Sequence, residues 1–390
     1  MRIGIDLFAL VPGVGRGGGF HRYAVGLLRG LSELDDQHQY YLFVNRSNAS
    51  MFPSNGRFVQ VLIPLPAQRE LWPFRLLWQH ALLPAVTARY RLDLVHFPMD
   101  TASALLPCPY VVTIHDLISD VYYPAHFPGA VSPLKARYLF AAKRRSARRA
   151  GAIMCPSLAT AEEVRRHYQV PAERITIVPE AADQRFFDAG CAGRGSASRH
   201  EPPYVVSVVS LSPHKNIETL VRAFARARSR YNLPHELWLI GMKGTAARSV
   251  ERFLSNEVGG GVPIRWLGFV GDETLVSAYR SADLLVFIPF VEGFGLPPLE
   301  AMAMGVPVVA SNVSSLPEVC GNAAILVPPN DVEAVAAAIG QVLTEPDMAR
   351  RLVEAGRRHA KLFTWTKTAA ETRAVYERMA SSRIQISHNG

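Results

Sequence analysis

Short apolar runs rich in β-branched residues alternate along this chain with longer stretches of helical periodicity. In the first half seven runs predict strands: RIGIDL, YYLFVN, FVQVLIP, LDLVHF, YVVTIH, AIMCPS and ITIVP. Six more follow in the second half: YVVSVVS, ELWLIG, IRWLGF, LLVFIP, VPVVAS and AAILVP. Strands that alternate with helices build parallel sheets with crossover connections. The pattern therefore predicts an α/β protein with two Rossmann-like, doubly wound domains.

A stretch without periodicity separates the two halves. Residues 188–203, DAGCAGRGSASRHEPP, are rich in small residues and end in two prolines, which is typical of a linker. We predict an N-terminal domain at 1–187, a C-terminal domain at 204–363, a last helix at 364–381 and a flexible tail at 382–390. The two domains are expected to face a deep cleft at the carboxyl ends of both sheets, where such folds bind ligands.

Composition narrows the class of protein. A chain of 390 residues with 49% apolar residues suits two domains with sizeable cores. Asp6 interrupts the apolar N-terminus, and no run approaches the ~20 apolar residues of a membrane-spanning helix, so export is not expected. The four cysteines have no C-x-x-C spacing, which disfavours zinc or a disulfide scaffold and predicts a cytoplasmic location.

Part of the net charge of +9 lies in one segment. Between Asp120 and Glu162 there is no acidic residue, and 135–149 predicts a helix with basic residues around much of its circumference. These are Lys135, Arg137, Lys143, Arg144, Arg145, Arg148 and Arg149. A solvated helix and attraction to an anionic membrane or acceptor both stay open. Nucleic acid is disfavoured because no recognition module is visible.

A glycine-rich loop follows the first strand and opens a helix in VPGVGRGGGFHRYAVGLL. Such a turn lets backbone N–H groups approach a phosphate, and the helix dipole adds to the attraction. The spacing does not fit G-x-G-x-x-G with an acidic residue about 20 positions on, so a nicotinamide site is disfavoured. Gly18 and Gly19, nearest the helix, are the predicted phosphate contacts; a flexible loop is the structural alternative.

Polar residues end two of the predicted strands. His115 and Asp116 end YVVTIH, where a neutral imidazole could bind a sugar hydroxyl or stabilise developing charge. A satisfied structural histidine is the alternative.

His214 and Lys215 precede a helix, where an ammonium is unfavourable for the dipole unless it faces an anion. Lys215 is therefore predicted to reach a diphosphate and neutralise a leaving group, with a plain surface lysine as the alternative.

Two glutamates bracket EGFGLPPLE, residues 292–300. Pro297 and Pro298 suit the first turn of a helix, so Glu292 lies in the preceding loop and Glu300 inside the helix. A carboxylate accepts two hydrogen bonds from a vicinal diol, and backbone N–H groups suit a phosphate. Those N–H groups belong to Phe294, Gly295 and Leu296. A glycosidase carboxylate pair would leave Lys215 and the glycine loop without a role.

No D-x-D occurs in the chain, and no His, Cys and Asp cluster has metal-ligand spacing. Phosphate charge must then be met by lysine, amides and helix dipoles. A nucleotide-sugar with one glutamate near each end, and with Lys215 and the amides on its phosphates, would satisfy these charges. We therefore expect no metal, and no cofactor because such a nucleotide-sugar would be a substrate.

The stretch 283–331 resembles the signature region of the retaining glycosyltransferases of the GT-B fold, group 1, whose mark is Glu, seven residues, Glu. The resemblance continues in GGFHRY, VVTIHDLI, SLSPHKNIETL and FTWTKTAAETRAVYERM, and so covers nearly the whole chain. It implies transfer of a sugar from a nucleotide donor with retention. The C-terminal domain would bind most of the donor, the N-terminal domain the acceptor, and the last helix, from about Trp365, would cross back onto the N-terminal domain.

The resemblance also implies roles for individual residues. Glu300 would hold the nucleotide ribose, Glu292 a hydroxyl of the donor sugar and Lys215 the diphosphate, with Gly19 beside it. His115 would touch the donor sugar near the reacting carbon, and the leaving phosphate would take the acceptor proton. The predicted catalytic residues are therefore His115, Lys215 and Glu292. The predicted donor-binding residues are Gly18, Gly19, Ser210, Lys215, Glu292, Phe294, Gly295, Leu296 and Glu300.

Two positions depart from the usual family pattern. Ser210 stands where many members have an arginine five residues before the phosphate lysine, and His21 stands where GGIGRY-type loops have a glycine. SPHKN and TIHDLI resemble a branch that includes bacterial polysaccharide mannosyltransferases. This implies GDP-mannose or a related GDP-deoxyhexose as donor and a glycan or polyprenyl-linked acceptor. The basic segment 135–149 is the candidate for a peripheral membrane contact. A UDP-sugar donor and a non-catalytic nucleotide-sugar-binding protein stay open.

Overall fold

The computed structural model describes residues 1–10, 18–66, 72–103, 105–127, 129, 131–191, 200–242 and 247–388. The chain forms two compact units. The first consists of Met1–Tyr122, Ser132–Glu180 and Thr364–Gly390; the second consists of Tyr123–Val131 and Ala181–Phe363. The chain therefore leaves the first unit after Tyr122, contributes a nine-residue segment to the second, and returns at Ser132.

The strands coincide with the apolar runs of the sequence. They are β1 Arg2–Asp6, β2 Gln39–Val44, β3 Phe58–Leu62, β4 Leu94–Phe97, β5 Tyr110–Thr113, β6 Ala152–Cys155, β7 Ile175–Ile177, β8 Tyr204–Val208, β9 Glu236–Ile240, β10 Ile264–Gly268, β11 Leu284–Phe287, β12 Val308–Ser311 and β13 Ile325–Val327. Each of the thirteen predicted strands is present, and the predicted fold class of two parallel-sheet α/β domains is confirmed.

The helices lie between the strands. They are α1 Gly18–Glu33, α2 Trp72–Leu77, α3 Leu83–Arg89, α4 Tyr123–His126, α5 Pro133–Arg149, α6 Leu158–Tyr168, α7 Gln184–Cys191, α8 Ile217–Tyr231, α9 Ala247–Gly259, α10 Asp272–Ser281, α11 Leu296–Met304, α12 Leu316–Cys320, α13 Val332–Thr344, α14 Pro346–Ala360 and α15 Trp365–His388. A π-helical turn at Trp78–Leu82 joins α2 to α3. Among the described helices, none combines the length and apolar character needed to cross a bilayer.

The two sheets share one winding pattern. The first has strand order β3-β2-β1-β4-β5-β6-β7, the second β10-β9-β8-β11-β12-β13, and their strand pairs are parallel. In each sheet the chain winds outward from its first strand and then resumes on that strand's other side. The winding therefore reverses between β1 and β4 and again between β8 and β11. Ligands of doubly wound sheets bind outside the carboxyl ends of the strands at such a reversal.

Burial explains why the strand runs are apolar without alternation. All residues of β4, β5, β6, β11 and β12 are buried, as expected for strands that are covered by helices on both faces. The loops that follow these strands are therefore held by rigid cores. Polar side chains in those loops are the candidates for chemistry.

The predicted linker begins too early. Its first four residues, 188–191, are the end of α7, whose Phe186 is buried and packs edge-on against Tyr279. A Cβ on Gly190 would lie 2.2 Å from the carbonyl oxygen of Ala303, so a small residue is needed for close packing of α7 on α11. Composition suggested flexibility where the small residues serve helix packing. Residues 192–199 lie outside the described residues.

The last helix packs in the first unit. A Cβ on Gly26 would lie 2.1 Å from the Trp365 ring, so α1 and α15 approach closely. The buried Tyr376 hydroxyl meets Nδ1 of His96 at 2.7 Å. The helix continues to His388, so the predicted tail at 382–390 is wrong over 382–388: this stretch contains neither proline nor glycine to end the helix.

Candidate functional site

Lys215 lies at the end of a 3₁₀ turn, Pro213–Lys215, that follows β8. Asn216 comes next, with a left-handed backbone (φ +56°), and begins α8. Its buried amide nitrogen donates to the carbonyl oxygens of Ile288, at 3.0 Å, and Pro329, at 2.6 Å. Asn216 therefore ties the lysine turn to the loop after the neighbouring strand β11.

The loop that carries Glu292 is held through its backbone. The hydroxyl of Ser314 donates to the carbonyl of Glu292 at 2.7 Å, and that of Ser315 donates to the carbonyl of Phe294 at 2.6 Å. Gly295 adopts φ +121°, a conformation that other residues rarely adopt, and begins α11. The turn before α11 is thus fixed independently of the Glu292 side chain.

The structure brings Lys215 and Glu292 together. Lys215 Nζ lies 2.5 Å from Glu292 Oε2, and the two side chains are 15% and 18% exposed. The ammonium also lies 5.0 Å from the centroid of the Phe287 ring, a cation–π distance. Because β8 and β11 are paired strands, this ion pair lies at the point where the winding of the sheet reverses. In this structure Lys215 faces a carboxylate. The contact of Lys215 with a diphosphate stays a prediction.

Glu300 and Ser210 lie in the same unit. Glu300 is 1% exposed on α11, and the Tyr279 hydroxyl donates to its Oε2 at 3.1 Å, which orients the carboxylate. Ser210 donates to the hydroxyl of Ser212 at 3.1 Å. The side chains of Phe294 and Leu296 are buried in the core, so their backbone is the part that can contact a polar ligand.

His115, which follows β5 in the first unit, is satisfied internally. Its Nε2 lies 3.0 Å from the carbonyl oxygen of Pro98 and its Nδ1 2.8 Å from Glu180 Oε1. The rings of Phe20 and Tyr23 pack on it edge-on. Burial lowers the pKa of His115, but the hydrogen bond and charge of Glu180 outweigh this effect and raise the pKa above 6.5.

These contacts are at odds with a neutral imidazole that binds a sugar hydroxyl. A carbonyl oxygen can only accept, so Nε2 of His115 carries a proton, and the raised pKa favours a second proton on Nδ1. Both nitrogens are then engaged within the first unit. The contacts favour the alternative of a structural histidine.

Lys143 is not part of a basic surface. It is buried on α5, with Nζ 2.9 Å from Asp100 Oδ2 and 3.1 Å from Asp120 Oδ1. Burial lowers the pKa of Lys143, but these carboxylates outweigh it and raise the pKa, so the lysine is charged. Tyr168 donates to the other oxygen of Asp120 at 2.5 Å. The prediction that 135–149 offers its basic residues to a membrane is therefore wrong for Lys143.

The glycine-rich loop is only partly described. Gly18 and Gly19 open α1, and a Cβ on Gly19 would meet no heavy atom within 4 Å, so packing does not demand a glycine there. The glycines at 13, 15 and 17 lie outside the described residues. The phosphate contacts predicted for this loop stay a prediction.

Sequence reasoning missed the residues that hold the site. Their partners lie far away in sequence: Asn216 reaches Pro329, Tyr279 reaches Glu300, and Ser314 reaches Glu292. A signal did exist for Asn216, since asparagine tolerates the left-handed region better than other non-glycine residues. Glu180, the partner of His115, carried no such signal.

Two units with parallel sheets, one of which pairs a lysine with a glutamate at its winding reversal, place this chain in the class of doubly wound α/β proteins. Residues 17–186 match the family model described as Glycosyltransferase Family 4, and residues 194–359 match that of the Glycosyl transferases group 1. Together the two models span most of the chain, which therefore belongs to the glycosyltransferases, with a group 1 match in its second half and the GT-B fold.

Relatives and solved structures match along nearly the full chain. The chain is 29% identical over 378 residues to the O-antigen chain mannosyltransferase B of Escherichia coli, covering 92% of this chain and 96% of that protein. Its fold matches sucrose-phosphate synthase from Thermosynechococcus elongatus with a TM-score of 0.76 at 23% identity, over 98% and 100% of the two chains. It also matches Anabaena HepE, solved with UDP and glucose, with a TM-score of 0.72 at 17% identity, over 97% and 99%.

Proposed function

We propose that this protein transfers mannose or a related deoxyhexose from a GDP-sugar to a glycan or polyprenyl-linked acceptor, with retention at the anomeric carbon. The reaction would serve polysaccharide biosynthesis of the O-antigen type. The observation that carries the proposal is the Lys215–Glu292 pair at the winding reversal of the second sheet. The mannosyltransferase relative supports the choice of sugar.

The donor would rearrange this ion pair. A diphosphate attracts the Lys215 ammonium more strongly than one carboxylate does, because it carries more charge. Glu292, released from the lysine, would then accept hydrogen bonds from hydroxyls of the donor sugar. Since the two groups start 2.5 Å apart, each needs only a small movement to reach adjacent parts of the same ligand.

The remaining donor contacts follow from the elements around the pair. The backbone N–H groups of Phe294, Gly295 and Leu296 lie at the N-terminus of α11, where the helix dipole favours a phosphate. Glu300, held by Tyr279, would accept from the ribose diol. Ser210 would add a neutral donor where an arginine is common in the family.

In the proposed reaction the bond between the anomeric carbon and the phosphate oxygen breaks. The acceptor oxygen bonds to the same carbon on the same face, and its proton passes to the leaving phosphate. Lys215 stabilises the charge that develops on the diphosphate. The step requires no side-chain base and no metal.

The membrane proposal rests on the exposed face of α5. Lys135, Arg137, Arg145, Arg148 and Arg149 are exposed on this helix, together with Leu134, which is 81% exposed. Basic side chains with apolar neighbours favour an anionic lipid surface. We propose that this face, without Lys143, approaches the membrane that holds a lipid-linked acceptor.

Slow hydrolysis of a panel of GDP-, UDP- and ADP-sugars tests the donor without knowledge of the acceptor. We expect GDP-mannose or a GDP-deoxyhexose to be hydrolysed fastest, with the released sugar in the α configuration by NMR if the donor is α-linked. Selective hydrolysis of a UDP-sugar would establish the alternative donor, for which the UDP complex of HepE is the supporting observation. Nucleotide binding without hydrolysis, and without transfer to lipid-linked glycans, would favour the non-catalytic alternative.

A further inference from the structure

The nine-residue segment Tyr123–Val131 belongs to the second unit although the residues on both sides of it belong to the first. It begins with the short helix α4. Two of its aromatic residues, Tyr123 and Phe127, contact the loops that carry the Lys215–Glu292 pair. Neither was predicted as a functional residue.

Tyr123 contacts the residue before the lysine. Its hydroxyl lies 2.6 Å from Nδ1 of His214, and the side chains are 4% and 8% exposed. Burial and the charge of Lys215 lower the pKa of His214 well below its usual value, so the imidazole is neutral. Nδ1 therefore accepts, and the tyrosine hydroxyl donates.

His214 also contacts the glutamate loop. Its backbone carbonyl accepts from the N–H of Phe290 at 2.8 Å. The ring of Phe290 in turn lies 6.2 Å from that of Phe127, between centroids. One segment thus contacts both loops: Tyr123 holds the turn that ends in Lys215, and Phe127 packs against the loop that leads to Glu292.

We propose that Tyr123 and Phe127 are positioning residues for the donor, which set the spacing of Lys215 and Glu292 by holding His214 and Phe290. The inference rests on the proposed function, in which Lys215 binds the diphosphate of the donor. Removing the Tyr123 hydroxyl leaves Nδ1 of His214 without its donor in a buried place, so the turn is expected to shift. The lysine would then be misplaced without losing its charge.

The test is the variant Tyr123→Phe in the full chain, with GDP, UDP and ADP titrated by calorimetry. Wild type identifies the nucleoside diphosphate that binds. We expect Tyr123→Phe to bind it about tenfold more weakly, the effect of one buried hydrogen bond. The matched control is Tyr204→Phe, which removes another buried hydroxyl of the same unit, one that donates to the carbonyl of Ala278 at 2.7 Å. The control is expected to lose stability but to keep wild-type affinity.

A double variant separates positioning from a general loss of stability. If Tyr123 acts through His214, then Tyr123→Phe combined with His214→Leu loses no more affinity than His214→Leu alone. Wild-type affinity in Tyr123→Phe, equal weakening in Tyr204→Phe, or additive losses in the double variant would each overturn the inference and leave the proposed function standing. Binding of UDP but not GDP to wild type would overturn the proposed donor. Wild type and the variants are then compared by their affinity for UDP. Failure of all three nucleotides to bind wild type would overturn both.

Discussion

The two units share one winding pattern but use the carboxyl ends of their strands differently. In the second unit Lys215 and Glu292 meet each other at the winding reversal and stay 15% and 18% exposed. In the first unit His115 and Lys143 are buried and engaged by carboxylates of the same unit. Polar and charged side chains therefore keep some access to solvent in the second unit and are enclosed by their own unit in the first.

The difference shows that a position at a strand end does not by itself identify a functional residue. What separates the two cases is whether the polar atoms are already satisfied. His115 has a partner for each ring nitrogen and is walled in by aromatic rings, so a ligand would have to displace native contacts. Lys215 has one carboxylate partner and partial access to solvent, which a more strongly charged ligand can exploit.

The largest expected effect is that of Lys143→Met on stability. Removing the ammonium leaves the buried Asp120 and the largely enclosed Asp100 without their shared cation, which costs about 3–5 kcal/mol in the free energy of unfolding. Urea unfolding of the first unit, monitored through hydrogen exchange of the β5 amides, measures this loss of stability. A loss below about 1 kcal/mol would show that the buried cluster does not support the fold, and would remove the contrast between the units.

Lys215→Met is expected to lower activity much more than it lowers stability. Because the lysine is proposed to stabilise charge on the leaving diphosphate, the rate of transfer or donor hydrolysis should fall about 100- to 1,000-fold. The free energy of unfolding should fall by about 1–2 kcal/mol, less than for Lys143→Met, because Lys215 and Glu292 are 15% and 18% exposed and Glu292 keeps some contact with water. The control is Lys143→Met, assayed at a temperature at which this variant is folded. Unimpaired turnover in Lys215→Met would count against the proposed site.

The two histidines are expected to give opposite pH dependence of stability. The folded pKa of His115 is raised, so its contribution is present below pH 6.5 and is lost as the pH rises through the folded value. The folded pKa of His214 is lowered, so the second unit loses stability as the pH falls below 6.5. Each is worth about 1.4 kcal/mol per unit of pKa difference.

Urea unfolding between pH 5 and pH 8 measures both histidine contributions. His115→Gln should lose most stability relative to wild type at low pH, and this difference should shrink above pH 6.5. For His214→Gln, the loss of stability relative to wild type should instead shrink as the pH falls. Identical pH profiles for the two variants would mean that the units do not differ in this respect.

The smallest expected effect concerns α5. Arg145→Gln should weaken binding to vesicles that contain anionic lipid about fivefold, the effect of one basic residue at a charged surface. The matched control is Arg226→Gln on α8 of the second unit, also an exposed helical arginine. Equal binding of both variants and wild type would reject α5 as a membrane contact.

The sequence was sufficient for the strands and for placing Lys215 and Glu292 in loops that follow strands, because buried parallel strands leave continuous apolar runs and their loops follow directly. It did not predict that the two side chains form an ion pair. It was insufficient where a partner lies far along the chain. Glu180 is 65 residues from His115, and the partners of Lys143 come from two separate segments, the loop after β4 and the π-helical turn Ile118–Tyr122. The small residues before 192 had two possible meanings, flexibility and close helix packing, and only the three-dimensional neighbour of Gly190 decides between them.

The placement of Tyr123–Val131 in the second unit matters for the design of chimeras between this chain and a relative. Residues 181–363 alone would lack the tyrosine that contacts His214, and residues 1–180 alone would lack α15, whose Trp365 packs on Gly26. A single crossover near residue 180 between this chain and a relative would therefore pair each half with a foreign segment. A chimera meant to inherit a new donor preference should take residues 123–131 together with 181–363, and leave 364–388 with the first unit.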